Sequence, residues 1–117
     1  MSTLPATTHT PIETDIREPF SVDGTPMGEM HWLQRPASID ETPQAAIWRV
    51  LPGSAPEEFP YEFHGNELMH VLEGVLEVAV EGGETVTIRA GEVAYFPAGT
   101  RSIWRLTTPL RKLFMVG

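Results

Sequence analysis

Two histidines and a carboxylate fall within seven positions in the stretch Phe63-His64-Gly65-Asn66-Glu67-Leu68-Met69-His70-Val71-Leu72-Glu73-Gly74. Imidazole nitrogen and carboxylate oxygen are ordinary ligands of first-row divalent ions, so the first chemistry these residues offer is a metal site. The second is general acid–base work by Glu67, because a carboxyl group set among apolar side chains is favoured in its protonated form. Choosing between them requires knowing how the strands that carry these residues point each side chain.

The chain of 117 residues is long enough for one buried core. Eight Lys and Arg against sixteen Asp and Glu leave a formal charge of −8. A surface of that sign repels phosphate backbones and anionic lipid, so neither nucleic acid nor a membrane is an expected partner. No cysteine is present, which excludes disulfides, thiolate metal sites and cysteine nucleophiles. The first residues lack a basic head and an apolar segment of signal-peptide length, and no run approaches the length of an apolar membrane span, so a cytoplasmic protein is expected.

Residues 1–15 are rich in Thr and Pro without a hydrophobic period and read as a flexible tail, with His9 a solvated side chain. Residues 16–44 read as an N-terminal arm of edge strands broken at Asp23-Gly24, with His31-Trp32-Leu33 as one edge strand and a polar connector from Ser38 to Gln44. Residues 45–117 read as a core barrel. Ala45 to Leu51 is strand-like and ends at Pro52-Gly53, and an acidic, proline-containing loop follows from Ala55 to Pro60. In Val75 to Glu81, the residues Leu76, Val78 and Val80 share one face and Glu77 and Glu81 the other, and Gly82-Gly83 turns this strand into Thr85 to Arg89. Val93 to Phe96, Ser102 to Leu106 and Leu110 to Val116 read as further strands. Short strands separated by glycine and proline turns, with no helix of useful length, define an all-β sandwich or barrel.

Two segments resemble the paired motifs of the cupin superfamily. Glu67, six residues, then Gly74 matches the second half of the first motif, and Gly91, five residues, then Pro97-Ala98-Gly99 matches the opening of the second. The run Gly91, Glu92, Phe96, Pro97, Gly99, Arg101, Trp104, followed by Arg111 and Lys112, is similar to the short single-domain cupins grouped with the barrel of ureidoglycine aminohydrolase and with the ethanolamine-utilisation cupins. The resemblance covers roughly residues 45 to 117 and implies a small double-sheet jelly-roll barrel. Cupins in general hold a divalent metal on two His and a Glu of the first motif and a His of the second. The corresponding positions here are Tyr61, Phe63, Glu67 and Ser102, so the resemblance implies a degenerate or absent metal site. No cofactor is favoured; were a divalent metal bound, Glu67 and His64 would hold it.

The resemblance implies that Glu67 faces the barrel interior; strand alternation then sets Tyr61, Phe63, Met69 and Val71 on the same face and His70 on the other, with His64 sharing the outward parity unless a bulge at Gly65-Asn66 resets it. Trp104, two residues beyond Ser102, shares the inward face. The expected ligand pocket is therefore Tyr61, Phe63, Glu67, Met69, Tyr95, Ser102 and Trp104. Glu67 must find a donor, a metal or a proton there, and Arg49, Arg101 or Tyr61 would be the donor. The expected function is binding of a small molecule in the barrel. The alternatives are an isomerase, lyase or hydrolase acting on a small nitrogenous or carbonyl compound through Glu67 as acid or base, a metal-dependent cupin enzyme, and a partner protein without chemistry. A homodimer is expected in each case, through exposed sheet edges and the arm that carries Trp32.

Overall fold

The computed structural model describes residues 7–117, and residues 1–6 of the expected tail lie outside the described residues. The described residues form eight strands and no helix: β1 (Glu18–Val22), β2 (Thr25–Gln34), β3 (Gln44–Val50), β4 (Glu58–Glu62), β5 (Glu67–Val80), β6 (Thr85–Arg89), β7 (Val93–Phe96) and β8 (Arg101–Val116). With no helix present among them, none is long and apolar enough to cross a membrane. All pairings are antiparallel.

Two long strands organise the sheet. β8 pairs with β5 over nearly its whole length, from Val80↔Ser102 to Glu67↔Val116. On its other edge β8 pairs with β4 through Arg101–Arg105 and with β3 through Leu110–Val116. β5 likewise pairs with β7 through Glu67–His70 and with β6 through Val75–Ala79. One half of the molecule is thus β1-β2-β3 with the C-terminal part of β8, the N-terminal part of β5, and β7. The other half is β4 with the remaining parts of β8 and β5, and β6. The halves fold over one another. Trp104 and Lys112 would lie about 26 Å apart on a straight strand, yet the Lys112 Nζ sits 4.4 Å from the centre of a Trp104 ring. This double sheet is the all-β jelly-roll barrel that the motifs imply.

The bend occurs where both long strands break register, at Val71 to Val75 in β5. The sequence expects a turn at Gly74 and separate strands on either side of residues 107–109. Instead β5 and β8 each continue through. Gly74 has φ +80°, and a Cβ there would run into the backbone carbonyl oxygens of Pro109 and Thr107. Only glycine lets the β8 backbone approach this closely while bulging β5.

Two further elements differ from expectation. Glu58 to Pro60, read as the end of the proline-containing loop that begins at Ala55, belong to strand β4; it pairs with β8 alone, and an edge strand accommodates a proline. His31-Trp32-Leu33 lies in β2 and pairs with β3; β1 covers the other side of β2 only as far as Met30. Between residues 7 and 17, Thr8 Oγ1 donates to the Leu33 carbonyl, Arg111 donates to the Ile12 carbonyl, and His31 Nδ1 lies 2.7 Å from the Ile16 carbonyl. The core draws on both halves, with Val71, Phe114, Ala46 and Val50 from one and Leu76, Val78, Ile88 and Leu106 from the other.

Gly74→Ala is expected to destabilise the fold by more than about 2 kcal/mol, combining the cost of a left-handed conformation with a backbone clash. Gly91→Ala has the same φ sign but open space around it, and should cost only the conformational part, about 1–2 kcal/mol. Urea denaturation of both variants measures the difference, and equal losses would show that the close approach at Gly74 is not needed.

Candidate functional site

Strand alternation delivers Glu67 to the interior. In β5, Glu67, Met69 and Val71 are buried while Leu68 is exposed. Along β8 the even-numbered residues turn inward, among them Trp104, Leu106, Leu110, Lys112 and Phe114. Glu67 and Lys112 meet as an ion pair, Nζ to Oε2 at 2.7 Å, with side chains 2% and 3% exposed. Lys112 is the sole lysine of the chain. Of the expected partners, Tyr61 is close enough for Glu67 to perturb its hydroxyl, while the two arginines are engaged elsewhere: Arg49 lies 3.8 Å from Glu29 and Arg101 lies 3.4 Å from Glu62, both near the surface.

Aromatic rings enclose the ammonium. Lys112 Nζ lies 4.4 Å from the Trp104 ring centre, 4.7 Å from Phe114 and 5.2 Å from Trp48. Ring faces attract a cation, and more strongly once water is excluded. Desolvation nevertheless dominates, and it lowers the Lys112 pKa from its ordinary value of 10.5 although Glu67 acts to raise it. Tyr61 shifts the opposite way. Burial first, then the negative charges of Glu67 and Asp40, drive its hydroxyl well above the ordinary phenol range.

Strand β4 sets Tyr61 in place. Its outward residues Glu58 and Glu62 face Arg105 and Arg101 across the β4–β8 pair, with ion pairs at 2.8 and 3.4 Å. Its inward residues Phe59 and Tyr61 pack on Trp104, with ring centres 5.9 and 4.4 Å away. Trp48 closes the group at 6.1 Å from Trp104, and its indole donates to the Met27 carbonyl at 2.7 Å. The indole N–H of Trp104 is buried and has no hydrogen-bond partner among the described residues.

These groups line a cavity of about 640 Å³ between the β1–β2 hairpin and the barrel. Tyr61, Glu67, Trp104 and Lys112 are on its wall, as is His64. His64 Nε2 lies 3.1 Å from the Gln44 amide nitrogen, which donates to the carbonyls of Ile39 and Glu41. The other expected pocket residues go elsewhere. Phe63 and Met69 are core side chains 1% exposed, Phe63 stacking on Phe96 with ring centres 4.7 Å apart. Tyr95 is 59% exposed, because β7 turns Phe96 inward and so turns its neighbour out. Ser102 donates to the Tyr61 carbonyl at 2.8 Å and lines a separate hollow on the other side of β4. His70 lies on the outer parity of β5, opposite Val93 and Leu113.

The donor set does not fit a metal of the usual cupin kind. Phe63 has no donor atom, the Ser102 hydroxyl is committed to a backbone carbonyl, and the Glu67 carboxylate already holds the Lys112 ammonium. Among the described residues no three His, Asp or Glu side chains cluster in a way that could hold an ion. Sequence reasoning missed Lys112, Trp48, Phe59 and the hairpin wall. Lys112 was within reach, since it shares parity with Trp104 once β8 is read as one strand.

An antiparallel double-sheet barrel with Glu67 aimed into an aromatic interior defines a cupin. The chain belongs to the EutQ-like cupin domain family, which matches residues 37–114. It is similar in structure to a DUF861 family protein from Thermotoga maritima, with 32% identity over 61% of this chain and 76% of that one and a TM-score of 0.54. A protein of unknown function from Rhizobium leguminosarum bv. viciae matches at 28% identity over 63% and 68% of the two chains, TM-score 0.54. A putative ethanolamine utilization protein Q from Salmonella typhimurium shares the fold at 22% identity over 86% and 93%, TM-score 0.59. No curated protein matches the sequence.

Removing one member of a buried ion pair strands the other charge, at about 3–5 kcal/mol, whereas replacing both by apolar residues is close to neutral. Lys112→Met should therefore destabilise strongly and the double variant Glu67→Leu/Lys112→Met should recover most of the loss in chemical denaturation; additive losses would contradict the pairing. The raised Tyr61 pKa makes the native state hold its proton where the unfolded state releases it. Its contribution is complete below the unfolded value of 10.0 and is lost as pH rises above it. Tyr61→Phe should flatten the alkaline fall in stability above that pH, and an unchanged pH profile would refute the assignment.

Proposed function

We propose that this cupin binds a small, largely apolar or aromatic molecule in the cavity between the β1–β2 hairpin and the barrel, with a polar acceptor of that molecule meeting Trp104 and Lys112. The reading rests on one observation above the rest. The Trp104 indole N–H is a buried donor without a partner among the described residues, in a side chain that lines a cavity of about 640 Å³. Leaving such a donor unsatisfied costs about 1–3 kcal/mol, which an acceptor on a ligand would recover. The volume falls in the usual range for small-molecule sites, and a few polar groups set among aromatic rings are their usual lining.

A second reading is favoured by the Glu67–Lys112 contact. Two titratable groups 2.7 Å apart on a cavity wall can exchange a proton, which suits an enzyme acting on a small nitrogenous or carbonyl compound with Glu67 as acid or base.

Screening small aromatic and carbonyl compounds by thermal shift and tryptophan fluorescence tests the first reading. A ligand should raise the melting temperature and change the emission, and Trp104→Phe should weaken its binding about tenfold, the equivalent of one hydrogen bond. Binding that Trp104→Phe leaves unaltered would overturn the placement. For the second reading, Glu67→Gln should abolish any turnover found; retained turnover would reject it.

A further inference from the structure

The chain carries seven arginines and a single lysine, and the lysine is the cation it buries. For structure alone an arginine would be the stronger choice opposite Glu67, since its planar fork binds a carboxylate through two hydrogen bonds. An arginine stays charged at any working pH, whereas a lysine can become a neutral amine and so a nucleophile. Lys112 stands where that change is easiest. It is closed off from bulk solvent, surrounded by Trp48, Trp104 and Phe114, and 2.7 Å from a carboxylate able to take its proton. Both residues of the pair also line the cavity.

We propose that Lys112 is a Schiff-base-forming nucleophile for a small aldehyde admitted to this cavity, with Glu67 moving the protons. The inference rests on the reading of the cavity as a small-molecule site. Glu67 accepts a proton from the Lys112 ammonium, and the freed lone pair on Nζ attacks the carbonyl carbon. The C=O π electrons pass to oxygen, which takes the proton held by Glu67. The carbinolamine nitrogen returns a proton to Glu67, which delivers it to the hydroxyl. The C–O bond breaks, water leaves, and the nitrogen lone pair forms C=N. One aldehyde and one ammonium thus give one protonated imine and one water, and the charge opposite Glu67 is unchanged. The lowered Lys112 pKa supports this by enlarging the neutral fraction of the amine.

The test uses benzaldehyde as the probe and sodium cyanoborohydride to reduce the imine, with intact-mass and peptide analysis of the full chain at neutral pH. The expected result is one benzyl group on Lys112. It should form at least tenfold faster than on Nα-acetyl-lysine under the same conditions, and the advantage should vanish in urea. Glu67→Gln should slow trapping about tenfold or more, since proton transfer is then lost. Labelling confined to the Met1 amine, or a rate equal to that of the free amino acid derivative, would overturn the proposal without needing a folded variant. Benzyl alcohol separates the two layers of the argument. If it shifts the melting temperature and tryptophan emission while benzaldehyde leaves Lys112 unmodified, the binding site stands and the nucleophile falls. If neither compound acts on the protein, both are rejected.

Discussion

A carboxylate and an ammonium taken out of water each lose several kcal/mol of hydration, and their mutual attraction compensates only when the geometry is close. Glu67 and Lys112 meet at 2.7 Å with almost no exposure, so the surrounding structure has to hold both ends. β5 supplies one end and β8 the other, and these are the two strands that run through both halves of the barrel. The bulge that lets β8 curve past Gly74 brings Trp104 over the Lys112 ammonium. β4, pinned to β8 by its outward ion pairs, adds Phe59 and Tyr61 to the same wall. Fold and site are in this sense one problem, since the bend that closes the barrel also builds the aromatic box.

The same pair engages the carboxylate that the cupin motif places at the metal position. Glu67 sits where the family's motif puts a ligand, but the positive charge it faces is a side chain of its own chain. Tyr61 and Phe63, at positions where cupins in general carry histidine, pack against Trp104 with ring centres at 4.4 and 5.7 Å. Rings at these positions back the Trp104 ring, whose face in turn attracts the Lys112 ammonium.

Much of the architecture is legible in the residues. The alternation of Leu76, Val78 and their neighbours, with Gly82-Gly83 after them, reads directly as the β5–β6 hairpin, and the cupin motif that Glu67 and Gly74 match implies the inward direction of Glu67. What local pattern cannot reveal is continuity. A glycine with positive φ looks the same in a turn as in a bulge, so β5 reads as two segments, and residues 107–109 divide β8 in the same way. Without that continuity the shared parity of Trp104 and Lys112 is hidden, which leaves Arg49, Arg101 and Tyr61 as the visible partners of Glu67. Pro60 disguised β4, because its compatibility with an edge strand depends on which strand lies beside it. Tyr95 was misplaced for the converse reason: its strand is short, and only the burial of Phe96 decides which face points in.

The central claim is that the single lysine of the chain lives in a desolvated aromatic box against Glu67. Having one lysine makes the claim directly measurable, since protein labelled with ¹³C,¹⁵N-lysine gives one side-chain signal. Following the Lys112 Cε and Nζ resonances against pH should yield a titration midpoint below the ordinary value of 10.5, with ring-current-shifted methylene protons and cross-relaxation to the Trp104 and Phe114 rings. A midpoint at or above the ordinary value, with unshifted methylenes and no contact to the rings, would contradict it.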